Sequence, residues 1–154
     1  MLFTGEMVAF VMNITSYSCM ILIIKTRNSA TPLPSPASGF GCRGIDAPEL
    51  QQTCTAYGQS WACGRTSAEW LQEHLHGRKV ECVGHARDRY QRLLAVCYVG
   101  GEDQNERIVR EGWALAYRRY SADYVQPEAE AKRAGAGIWR GEFTPPWEWR
   151  AERH

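Results

Sequence analysis

Apolar positions along the chain change rhythm several times, and each change predicts an element. Residues 8–24 (VAFVMNITSYSCMILII) are the most apolar stretch, interrupted by Asn13, Thr15, Ser16 and Ser18. Residues 31–40 carry Pro32, Pro34 and Pro36 among Ser and Gly, a composition that continues neither helix nor central strand and reads as a linker. Residues 51–62 show no clear period and read as a loop. Thr66 followed by Glu69 forms a capping box. Ala68, Leu71 and Leu75 then share one helical face, and Gly77 ends the helix. Residues 79–83 alternate in strand fashion and residues 93–99 are strongly β-prone, with a polar connection at 85–92 between them. Asp103 with Glu106 repeats the capping signature before Ile108 and Val109, and Gly112 stops that helix. Ser121 predicts the cap of a last helix over residues 122–134, with Pro127 near its first turn. The tail after Gly137 is rich in aromatics and proline and reads as irregular chain packed on the body. Strands first and helices last, with no internal repeat, predict an α+β fold.

Composition narrows the class without deciding it. The 154 residues suffice for one domain with a core, and 44% hydrophobic with 23% charged residues fits a globular body. A net charge of +1 gives no global argument for nucleic acid. Basic residues do gather late (Arg118, Arg119, Lys132, Arg133, Arg140, Arg150, Arg153), either as a basic face or as ordinary solvated surface. The six cysteines form no CxxC pair, which argues against a zinc ribbon. Cys54 and Cys63 are close in sequence, and Cys82 and Cys97 flank a turn as cross-strand partners would. Two such pairs suggest an oxidising compartment, with six reduced thiols as the alternative. Nothing in the sequence signals a homo-oligomer.

The apolar run at 8–24 just reaches the ~17-residue lower bound of a spanning helix. Glu6 precedes it where a secretory signal would carry positive charge, and Lys25 and Arg27 follow. Residues 1–30 therefore read as an atypical leader. It is either a signal or membrane anchor at 8–24, placing the protein outside the cytoplasm, or a pair of replacement strands at 7–12 and 19–25. The linker follows at 31–40 and the main domain at 41–150.

Three residues have the chemistry of a phosphodiester site. Asp46 and Glu49 are hard oxygen donors on a turn stiffened by Pro48, which suits Ca²⁺ or Mg²⁺, and a carboxylate beside a metal-bound water serves as a general base. Arg92, where the polar connection meets a strand, has the fork to grip a phosphate. Plainer readings stand beside these: a turn-capping Asp46, a surface Glu49, and an Arg92 that merely pairs with Asp88. His74 and His76 point to different sides of a helix and make no metal pair. The six tryptophans read as packing rather than as base-stacking platforms.

These residues lie in motifs that resemble the staphylococcal-nuclease (thermonuclease) family. GIDAPE (44–49) resembles its metal-and-base turn. DRYQRLLA (88–95) is similar to its DRYGR-x-LA segment. Residues 101–121 (GEDQNERIVREGWALAYRRYS) resemble its G-x-D-x-N-x-x-[LI]-V-x-x-G-x-A-x-A-Y stretch, and GIW with FTPPWEWR resembles its ending. The order holds over about 110 of the 154 residues. The resemblance implies an OB-fold, a five-stranded β-barrel with three helices, and Ca²⁺-dependent hydrolysis of DNA and RNA. It implies Asp46 as a calcium ligand, Ala47 offering its carbonyl to the ion, and Glu49 as general base. Arg92 would contact the phosphate, and Tyr90 and Tyr117 the nucleotide. Cysteine-containing members are typically exported.

Two departures qualify that picture. Active members carry an upstream Asp-Gly-Asp-Thr turn whose first Asp binds calcium, and residues 1–40 contain no Asp. They also carry an arginine five residues before the GIDAPE aspartate, where this chain has Gly41. Arg43 lies ~6–7 Å further along an extended chain, too far to replace it. Gln91 replaces the loop glycine. A missing ligand and a missing arginine predict weak calcium binding and a loss of roughly 10²–10⁴ in rate for the arginine alone. The expectations are an impaired nuclease, a catalytically silent OB-fold module that binds nucleic acid or protein, or a chain whose first forty residues are not the natural N-terminus.

Overall fold

A computed structural model describes residues 8–10, 40–78, 80–89 and 92–153. Among the described residues nine strands and four helices follow in order: β1 Val8–Phe10, β2 Phe40–Cys42, β3 Ile45–Asp46, β4 Cys54–Ala56, β5 Gln59–Trp61, α1 Cys63–Leu75, β6 Val80–Arg87, β7 Leu93–Val99, β8 Glu102–Asp103, α2 Gln104–Arg110, β9 Leu115–Ala116, α3 Val125–Ala134 and α4 Pro146–Ala151. A 3-10 turn, Gly137–Arg140, separates the last two helices.

The α+β expectation holds. The main sheet runs β1-β6-β7-β2, with β8 added to β7. β6 and β7 are antiparallel, and β2 joins β7 in parallel with Gly41 opposite Leu94. β3 pairs with β9, and β4 with β5, as separate two-stranded ribbons. Among the described strands no single closed barrel forms, and four helices replace the three that the resemblance implies. The apolar run at 8–24 contributes β1, while residues 11–24, and with them the anchor reading, lie outside the described residues. Among the described residues no helix is long and apolar enough to cross a membrane.

The main core lies between α1, β6, β7, α2 and the start of α3, where Leu71, Leu75, Val80, Ala95, Ile108, Val109 and Tyr124 are buried together. A second cluster of Cys54, Cys63, Leu115 and Ile138 is covered by Trp61, Trp113, Trp139, Phe143 and Trp147. With Trp70 against the main core, five of the six tryptophans pack, as expected. Both expected disulfides are present, Cys54–Cys63 and Cys82–Cys97.

Several boundaries differ from the sequence expectation, each for a physical reason. α1 begins at Cys63, earlier than the capping box, and the Thr66 hydroxyl instead donates back to the Ala62 carbonyl. The helix start is fixed by the Cys54–Cys63 bridge rather than by a side-chain cap. Its buried face includes Ser67, whose hydroxyl donates to the Trp113 carbonyl at 2.7 Å. β6 runs on to Arg87 through the polar connection, with a register shift between Gly84 and Ala86. α3 starts at Val125, because Ser121 spends its hydroxyl on the Asp123 N–H two residues on. The tail is helical at α4 because Pro146 sits at its first position, where a missing N–H costs nothing.

Candidate active site

Asp46 ends the short strand β3, held against Leu115 of β9. Pro48 then turns the chain, so Glu49 comes back to the same side. The return is secured by Gln52, which is fully buried. Its side-chain oxygen accepts from the Glu49 N–H at 3.2 Å, and its amide donates to the Thr144 carbonyl at 2.6 Å. Gly64 of α1 presses so closely on the Glu49 carbonyl that no side chain fits there. The turn is thus clamped from three directions: by β9, by α1 and by the C-terminal tail.

Both carboxylates are buried, and both meet Arg150. Arg150 Nη2 donates to Asp46 Oδ2 at 2.6 Å, while Nη1 donates to Asp46 Oδ1 at 3.2 Å and to Glu49 Oε1 at 2.7 Å. The carboxylates therefore converge on one cationic nitrogen. Burial pushes the Asp46 carboxyl above its ordinary range; the Arg150 hydrogen bond and charge pull it back, and Glu49 adds to the rise. Burial by itself would lower the Arg150 guanidinium, but its bonds to Asp46 and Glu49 outweigh that and raise it. The guanidinium thus stays charged, and the contact is a buried ion pair rather than a neutral bond.

Arg150 reaches this point because of α4. Trp147 and Arg150 are three residues apart and share a helix face. The Trp147 ring stacks on Tyr117 with centroids 5.3 Å apart. One turn further on, Arg150 enters the cleft.

Arg92 approaches from the other wall. The β6–β7 connection is closed by Asp88, whose backbone N–H donates to the Arg92 carbonyl at 2.9 Å. The Asp88 carboxylate accepts from the Arg92 backbone N–H at 2.9 Å and from its Nε at 2.7 Å. Because Nε is engaged, the guanidinium has a fixed direction. Arg92 lines a cleft of about 290 Å³ together with Asp46, Arg89, Tyr117, Tyr120 and Arg150. Tyr117 packs 5.1 Å from Tyr120 on that wall. Ala47 is half-buried between the two carboxylate positions. Tyr90 lies outside the described residues.

Gly41 lines the same cleft, on β2. Arg43 faces elsewhere, 3.9 Å from Asp123, so it does not replace the missing arginine. Of the basic residues near the C-terminus, Arg118 pairs with Glu128, Arg140 lies over the Trp61 ring, and Arg150 is in the cleft.

Among the described residues no three His, Cys, Asp or Glu side chains are grouped to hold a metal ion. The Asp46 and Glu49 oxygens nevertheless fit a divalent cation in kind, being hard donors that converge where Arg150 Nη1 now stands as a surrogate cation. Arg150, Asp88 and Gln52 were not identified as site residues from the sequence. Arg150 had one sequence signal: it is the last residue of the FTPPWEWR ending, which otherwise contributes only aromatic packing.

The family model of the staphylococcal nuclease homologues matches residues 40–141, and the chain belongs to that family. It is 35% identical over 112 residues to an uncharacterized endonuclease of Haemophilus influenzae, covering 70% of this chain and 57% of the relative. An uncharacterized endonuclease of Escherichia coli O157:H7 is 34% identical over 110 residues, covering 69% and 66%. The succinoglycan biosynthesis protein ExoI of Rhizobium meliloti is 34% identical over 102 residues, covering 64% and 53%. The matches thus span between 53% and 66% of these relatives' own length.

Proposed function

We propose that the protein is a Ca²⁺-dependent nuclease that hydrolyses phosphodiester bonds of DNA or RNA, with impaired catalysis. The convergence of Asp46 and Glu49 on one cationic nitrogen, in a cleft shared with Arg92, carries this reading. Asp46, Glu49 and the Ala47 carbonyl would hold the ion. Such an ion would supply Lewis-acid stabilisation of the phosphate and a more acidic water. Glu49 is placed to orient the attacking water and take its proton. Arg92, aimed by Asp88, donates two hydrogen bonds to the phosphoryl oxygens as charge builds on them. Tyr117, and Tyr90 by family resemblance, contact the nucleotide. The reading includes an OB-fold barrel completed by N-terminal strands. It also includes a domain spanning 41–150 after a leader and linker, and export from the cytoplasm, supported by the two disulfides.

Impairment follows from the donor count. Among the described residues two carboxylates and one carbonyl fall short of the 6–8 oxygens that Ca²⁺ takes, so water must supply the rest. Gly41 offers the phosphate no second guanidinium. These same observations favour a second reading, a catalytically silent module that binds nucleic acid or a protein. Incubation with single- and double-stranded DNA and with RNA, with and without Ca²⁺, separates the two. Cleavage that a chelator and Glu49→Gln both abolish supports the nuclease. Retained binding without cleavage supports the silent module.

A further inference from the structure

Two buried carboxylates beside one another repel, and each is costly to keep ionised without a positive partner. In this fold the partner is Arg150, which satisfies both with three hydrogen bonds. These are the oxygens read above as the cation's donors, and the two ligands exclude one another. Ca²⁺ sits ~2.3–2.6 Å from its oxygens. Arg150 Nη1 is 2.7 Å from Glu49 Oε1 and 3.2 Å from Asp46 Oδ1, so an ion that takes both oxygens competes with that nitrogen for them.

We propose that Arg150 is a built-in competitor that sets the affinity of the Asp46–Glu49 pair for divalent cations. The inference rests on the reading of that pair as cation-holding. The side chain can leave without disturbing the core, because α4 is fixed by the buried Pro146 and by the Trp147–Tyr117 stack. The Arg150 side chain is 33% exposed, which opens a route outward for a rotation about its own bonds. A bound ion must therefore outweigh three charge-assisted hydrogen bonds before it registers at all. Weakly held cations are screened out.

The test is a calorimetric Ca²⁺ titration of the full chain, followed by melting curves with and without the ion. Arg150→Gln should bind Ca²⁺ at least about tenfold more tightly than the wild type. Its melting temperature should fall without Ca²⁺ and recover more with it than the wild type gains. Arg153→Gln controls for lost charge on the same segment, because Arg153 stacks on Trp149 and makes no part of the clasp; its affinity should match the wild type. Affinity in Arg150→Gln equal to or below the wild type overturns the proposal, as does equal tightening in Arg153→Gln. If Arg150→Gln fails to fold, Arg150→Lys decides in the same way, since an ammonium cannot bridge both carboxylates as the planar fork does. Wild-type binding that Asp46→Asn abolishes but no Arg150 variant tightens overturns the competitor alone. Absence of Ca²⁺ binding in every variant, or binding unaffected by Asp46→Asn, removes the cation reading and the competitor with it.

Discussion

Arg92 owes its direction to Asp88, which binds both its backbone N–H and its Nε. Arg92→Lys keeps the charge but loses the fork and the Nε contact, so the cleavage rate should fall by roughly 10²–10³, with a smaller change in substrate affinity. Steady-state kinetics on a short DNA substrate check this. The proton competes with the cation at Asp46. Its carboxyl is raised chiefly by burial, so on acidification Ca²⁺ binding should begin to fail at a higher pH than for an ordinary carboxylate. In folding the sign is opposite: the raised pKa favours the fold below the unfolded value, and that gain is lost as pH rises through the folded one. Ca²⁺ titrations at successive pH values measure the first effect, and urea melts the second. A Cβ at Gly41 would meet Leu94 Cδ2 at 2.9 Å, the movable end of a side chain, so Gly41→Arg is sterically feasible. If its guanidinium restores the second phosphate contact, cleavage should rise, and an unchanged rate would show that impairment lies elsewhere. Asp46, Glu49 and Arg92 were legible because each sits in a short local motif. Arg150 was not, because its partners lie 104 and 101 residues away and no periodicity records such a pairing.

Helix α2 shows how an element becomes readable. Asp103 caps it in the expected way, accepting from the Glu106 N–H at 3.0 Å. The same carboxylate accepts from the Tyr124 hydroxyl at 3.1 Å, which ties α2 to the start of α3. Burial, with Asp103 second, raises the Tyr124 phenol. The β4–β5 hairpin reads as loop in the sequence because its residues show no clear alternation and its turn lacks the usual Asn-Gly or Asp-Gly. Tyr57 and Gly58 both take positive φ, at 52° and 75°, which sequence preference assigns to Asn or Gly and rarely to Tyr. The disulfide to Cys63 and the pairing of Thr55 with Glu142 hold the ribbon in place instead. Between elements, the close approach of Gly64 to the Glu49 carbonyl carries the most consequence for the site. Gly64→Ala gains helix propensity of about 1 kcal/mol, but its methyl would overlap that carbonyl and displace the turn. The variant should therefore lose stability despite the better helix former, and it should bind Ca²⁺ less tightly. A urea melt paired with calorimetry tests both.

At the scale of the whole molecule, the two disulfides divide the work between site and frame. Cys82–Cys97 joins β6 to β7 directly across their register, at some distance from the turn that carries Arg92. Cys54–Cys63 ties the β4–β5 ribbon to the start of α1, next to Gln52 and Gly64, which hold the Glu49 turn. In the chain-entropy picture either bridge contributes about 2–4 kcal/mol by constraining the unfolded chain. Their effects on the site should differ. The double variant Cys82→Ser/Cys97→Ser should lower the melting temperature while leaving Ca²⁺ affinity nearly unchanged, because strand hydrogen bonds still set the hairpin's register. The pair Cys54→Ser/Cys63→Ser should lower both, because α1 then starts without a side-chain cap and the Gly64 contact loosens. Equal Ca²⁺ affinities in the two double variants would mean that the Glu49 turn does not depend on the Cys54–Cys63 bridge. The spacing of these cysteines was legible from the outset, but this division of roles was not. It depends on which side of the cleft each bridge supports, and that is settled only when β3, α1 and the C-terminal helix meet around Asp46 and Glu49.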